Sequence, residues 1–82
     1  MAQQHTLAGI DVGNSQVKVV IAKINKEALR PEIVGAGIAP SQGLRRGMVV
    51  DMEEVVSSIR TAVQQAQAMS GIQIKRAYLS VL

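Results

Sequence analysis

The feature that most constrains this chain is a change of hydrophobic period at Asp51. Before it, apolar residues come in short runs rich in Val and Ile, broken by turn residues, the pattern of strands. These runs place strands at about residues 6–12, 16–25 and 31–39. The first two are joined through Val12-Gly13-Asn14-Ser15, where Gly13 and Asn14 are residues that tolerate positive φ, so a hairpin is the simplest pairing. A second turn falls at Asn25-Lys26-Glu27-Ala28. In the third run Gly35 and Gly37 lie two apart on one face, which implies a close approach across that face or a bulge. Pro40–Val50 reads as a loop.

After Asp51 the period becomes helical. Met52, Val55, Val56, Ile59, Ala62, Val63, Ala66 and Met69 recur at i, i+3, i+4 and i+7, one apolar face of a helix over about 51–70. Asp51 is a natural N-cap with Glu54 at capping-box spacing, Glu53 and Glu54 suit the positive end of the dipole, and Gly71 is a natural C-terminal cap. Ser57, Ser58, Arg60, Thr61, Gln64, Gln65 and Gln67 fall on the opposite, polar face. A last strand is predicted over 75–82. The order is βββαβ, and the helix is long enough for a crossover that lets the last strand lie parallel to the first. The fold class is α/β, with a mixed sheet and one crossover helix.

The 82 residues suffice for one domain at most. The absence of Cys excludes a disulfide framework, a Cys-based zinc module and a thiol nucleophile, and the one His, His5, excludes a His-rich metal site. His5 falls in an N-terminal segment read as mobile. No apolar run approaches the roughly 20 residues that cross a bilayer, and MAQQHT lacks the basic and apolar regions of a secretory signal. A soluble, cytoplasmic chain is the expectation. The formal charge of +3 comes from basic residues scattered in ones and twos. No aromatic residues interleave with them to stack bases, so no nucleic-acid partner is expected. With Tyr78 the only aromatic residue, the core is built from Val, Ile, Leu, Met and Ala. Such a core is marginal at this length and points to more chain or a partner.

The strongest local chemical signal is Ile10-Asp11-Val12-Gly13-Asn14-Ser15-Gln16-Val17-Lys18. An acid at the end of an apolar strand sits where a metal ion can be met through water. The Gly-Asn-Ser turn presents backbone N–H groups and a hydroxyl toward the same point, and such amide concavities hold phosphate. The segment is not a Walker loop, since GxxxxGK[ST] is absent. A hairpin turn also needs Gly or Asn for backbone reasons alone.

This segment resembles the first phosphate loop of the actin-like ATPase superfamily. Within it, the chain is similar to the FtsA family of bacterial cell-division proteins. The similarity extends through Ile33-Val34-Gly35-Ala36-Gly37, the run Pro40–Asp51, and the helix segments Ser58-Ile59-Arg60, Ala62–Ala66 and Met69-Ser70-Gly71. The loop and helix are more family-specific than the phosphate loop, which sugar kinases and chaperones share. The resemblance implies part of a ribonuclease-H-like, actin-like subdomain. It implies that Asp11 orients the Mg²⁺ of ATP through water, that Gly13, Asn14 and Ser15 contact the β- and γ-phosphates, and that Lys18 faces phosphate as a compact ammonium. Asn14 stands where Thr or Ser is commoner.

The resemblance further implies a protein that polymerises with ATP and tethers FtsZ to the cytoplasmic membrane at the division septum. Membrane contact would come through a C-terminal segment not contained in these residues. The helix over 52–69 is expected to pack in a core rather than on a membrane. The 82 residues alone are expected to lack ATPase activity and to self-associate or fold poorly. Alternative readings are the phosphate-loop segment of a sugar kinase-like phosphotransferase and that of a pilus-assembly actin homologue.

Overall fold

A computed structural model of the chain describes residues 4–25, 27, 30–46 and 48–81. Strand β1 (Gln4–Val12) and strand β2 (Gln16–Asn25) form an antiparallel hairpin, and strand β3 (Pro31–Pro40) pairs antiparallel with β2. Two short strands follow, β4 (Leu44–Arg45) and β5 (Met48–Val49), paired with each other. Helix α1 (Met52–Ser70) then leads to strand β6 (Tyr78–Val81), which lies parallel to β1. The main sheet has the order β3-β2-β1-β6. It is mixed, and one crossover helix connects its last strand. The α/β, βββαβ reading therefore stands, with the small β4–β5 hairpin added inside the segment read as a plain loop.

Three further details differ from the sequence reading. His5 is not in a loose terminal segment but in β1, opposite Ile24. The last strand is shorter than the predicted 75–82. The segment before residue 75 is tied to the end of the helix: the Ile74 N–H donates to Gln67 Oε1 at 2.8 Å, and the Ile72 N–H donates to Ser70 Oγ at 3.0 Å. Leu82 lies outside the described residues, as do Lys26 and Ala28 of the turn after β2, where Glu27 N–H donates to Asn25 Oδ1. Finally, the buried side of α1 is rotated from the predicted stripe. Val55, Ser58, Ala62 and Ala66 are buried, while Met52, Val56 and Met69 are exposed.

The core forms where α1 lies on the sheet. Val17, Val19 and Ile21 of β2 are wholly buried, each flanked in register by Val12, Ile10 or Ala8 of β1 and by Ala39, Gly37 or Gly35 of β3. Burying each such β2 side chain contributes about 1.5–3 kcal/mol. The two glycines are required by contact. A Cβ built on Gly37 would stand 2.8 Å from the carbonyl carbon of Ala62, and one on Gly35 would stand 2.9 Å from the Ser70 Cβ. Ala62 and Ala66 sit against this stretch and are fully buried. Small residues on both sides bring helix backbone onto strand backbone. A register shift between Ile21 and Ala22 bends β3 just beyond this contact.

Both caps of α1 are in place. The Glu54 N–H donates to the Asp51 carboxylate at 3.2 Å, and Gly71, at φ 71°, donates its N–H to the Gln67 carbonyl at 2.8 Å. The capping box is only half made, because the Asp51 N–H is taken by the Gly43 carbonyl at 3.1 Å. That carbonyl also accepts the Val50 N–H at 2.7 Å. Gly43 is buried at φ 80°, and a Cβ there would stand 2.9 Å from Val55 Cγ2. Only glycine fits this corner.

Candidate functional site

Alternation along the hairpin decides which side chains share a face. Asp11 and Lys18 are cross-strand partners, on the sheet face opposite to the one that carries Val12, Val17 and Val19. Both are exposed. Directly opposed residues of this kind have Cα atoms about 4.5–5.5 Å apart, so the two charged side chains leave the sheet from neighbouring positions. Val20, Tyr78 and Ser80 lie on the same face. With Leu79, these residues line an open depression of about 450 Å³.

The turn Gly13-Asn14-Ser15 closes the same end of the hairpin, one residue beyond Val12 and Val17. All five residues singled out from the sequence (Asp11, Gly13, Asn14, Ser15 and Lys18) therefore gather at one end of β1 and β2. The turn is not built on left-handed backbone. Among the described residues, positive φ occurs at Gly43, Arg46 and Gly71 and not at Gly13 or Asn14. Gly13 is instead confined by proximity: its N–H donates to the Gln16 carbonyl at 2.9 Å, and a Cβ would lie 3.2 Å from that same oxygen.

Sequence reading passed over a second set of residues that hold this turn. The Ser41 hydroxyl, just past the end of β3, donates to the Gly13 carbonyl at 2.5 Å, and the Ser41 N–H donates to the Ser15 carbonyl at 2.9 Å. The next residue ties back to the helix. Gln42 N–H donates to Ser58 Oγ at 3.1 Å, and that hydroxyl donates in turn to the Glu54 carbonyl at 3.0 Å. Ser58, placed on the polar face by its type, is thus a buried joint between helix and loop, with both roles of its hydroxyl used. The only sequence signal for Ser41 is a hydroxyl residue directly after the proline that ends a strand.

Among the described residues, no group of three or more His, Asp or Glu is assembled to bind a metal directly. A lone carboxylate is compatible with Mg²⁺, which keeps most of its waters and takes one or two carboxylates together with substrate phosphates. Of the five gathered residues, Asp11 carries the one carboxylate and Lys18 the one ammonium. Among the described residues, no helix is long and apolar enough to cross a membrane.

No family model matches the chain. Curated relatives do. The chain is 44% identical over 75 residues to the Cell division protein FtsA of Enterococcus faecalis. It is 36% identical over 81 residues to that of Bacillus subtilis, and 31% identical over 75 residues to that of Escherichia coli. These matches cover 92–99% of this chain but only 17–18% of the relatives, so the chain spans about one-sixth of their length. Among solved structures, a glycerol dehydratase reactivase superposes with a TM-score of 0.74 at 25% identity, over 94% of this chain and 12% of that one. The fold is that of part of an actin-like ATPase.

Proposed function

The chain belongs with the FtsA family over the stretch it shares with these relatives, and from that premise we propose that it is the phosphate-loop segment of an ATP-binding cell-division protein. The observation that carries the reading is the gathering of Asp11, Lys18 and the Gly13–Ser15 turn at one end of one hairpin. Each group has a distinct task. The Asn14 and Ser15 amides would meet phosphate oxygens, the Lys18 ammonium would offset their charge, and Asp11 would hold water of the Mg²⁺ shell. Mg²⁺, met by Asp11 through water, would supply neutralisation of the phosphate charge.

These groups approach the phosphates from one side only. Hydrolysis needs a positioned water and groups aligned from the other side as well, so the 82 residues bind and orient without turning ATP over. In the complete protein we take the segment to serve ATP-dependent self-assembly and the tethering of FtsZ at the inner face of the cytoplasmic membrane. The match to FtsA favours this over the sugar kinase and pilus-assembly readings. The test is Mg-ATP titration of the full-length natural protein and its Asp11→Ala variant. Loss of a charge-assisted contact is expected to weaken binding roughly ten- to a hundredfold. Unchanged affinity would remove Asp11 from the site.

A further inference from the structure

We propose that Ser41 is a positioning residue for the phosphate turn, presetting its amides through a hydroxyl strap anchored on helix α1. The proposal rests on the reading of that turn as a phosphate site.

The argument is one of peptide geometry. The described residues contain no cis peptide. A planar trans peptide points its C=O and its N–H in opposite directions. The Gly13 carbonyl is drawn onto the Ser41 hydroxyl, so the N–H of Asn14, in the same peptide unit, is aimed away from Ser41. The Ser15 carbonyl is drawn to the Ser41 N–H in the same way. An incoming phosphate would be repelled by either carbonyl oxygen and attracted by the amide. Ser41 withdraws both oxygens toward β3 with one residue, using its side chain for one and its main chain for the other.

Ser41 is itself held. It follows Pro40, the last residue of β3, and precedes Gln42, whose N–H is fixed on the buried Ser58 hydroxyl. One residue further on, Gly43 accepts two N–H groups from the segment that enters α1. The strap from Ser41 to Gly43 thus links the phosphate turn to the first two turns of the helix. No residue in it needs to touch the ligand. Its contribution is to remove the entropy cost of turning the loop when phosphate arrives.

The experiment is Mg-ATP titration of the full-length natural protein beside its Ser41→Ala, Ser41→Thr and Ser58→Ala variants, with denaturant unfolding of each. Ser41→Ala is expected to lower affinity roughly two- to tenfold, the worth of one hydrogen bond, and Ser41→Thr, which keeps the hydroxyl, to restore it. Ser58→Ala is expected to shift affinity in the same direction by less. In the double variant the two losses should not add, because both act through one strap. If Asp11→Ala weakens binding while Ser41→Ala binds like the unaltered protein, the proposal fails and the phosphate site stands. If the unaltered protein takes up no Mg-ATP, both fail. A Ser41→Thr variant as weak as Ser41→Ala also overturns the proposal, since it retains the donor. Should Ser41→Ala not fold, Ser58→Ala decides, and unchanged affinity there is fatal.

Discussion

Strands β3 and β6 close the two edges of one sheet with different chemistry. Strand β3 begins at Pro31 and ends at Pro40, residues that offer no N–H to a further strand. It is kinked by the shift near Val34, and its Ile38 N–H is already donated to the Gln65 side chain at 2.9 Å. Its inner face lies under α1 with no room for a methyl group at Gly35 or Gly37. Strand β6 has none of these devices. All four of its residues are exposed, with Tyr78 at 75% and Leu79 at 62%. The contrast separates an edge built to end a sheet from one that leaves backbone and apolar side chains open to pairing.

Three substitutions test that contrast, and the largest effect belongs to the closed side. Gly37→Val drives a branched side chain into the Ala62 carbonyl and is expected to cost about 3 kcal/mol or more, enough to abolish a cooperative transition in denaturant. A well-folded variant would show that the helix can rise off the strand. Gln65→Ala removes the partner of the Ile38 N–H and should cost about 1 kcal/mol, read as a lower denaturation midpoint with unchanged slope. Leu79→Lys, on the open side, should alter stability by less than about 0.5 kcal/mol. It should also reduce the self-association expected of the isolated 82 residues, as followed by sedimentation. If Leu79→Lys unfolds the chain as Gly37→Val does, the two edges are equally built in and the contrast collapses.

The parts legible from the residues alone were those set by neighbours in sequence. Asp51 and Gly71 mark the helix because capping is decided within four residues. Gly35 and Gly37 signal a close approach or a bulge, and β3 has both, the approach at the two glycines and a register shift beside them. What escaped was set by distant partners. Ser58 reads as polar surface by type, and only the Gln42 amide explains its burial. Ser41 reads as loop, since the carbonyl it meets lies 28 residues away. The turn at Gly13-Asn14 stands where these residues predict it but does not use the positive φ they tolerate, because Gly and Asn advertise that freedom whether or not it is used. The five candidate residues could be chosen by pattern, whereas their gathering needed the β1–β2 register.

The contact between the glycines of β3 and the alanines of α1 has a mechanical side. Side chains usually form a compliant layer between a helix and a sheet, taking up small displacements by changing rotamer. Gly35, Gly37, Ala62 and Ala66 have no rotamers to change. Helix and strand are therefore coupled as one stiff plate. The contact runs from Ala62 to Ser70 of the helix, so a tilt of β3 at its Pro40 end is passed to α1 rather than absorbed between them.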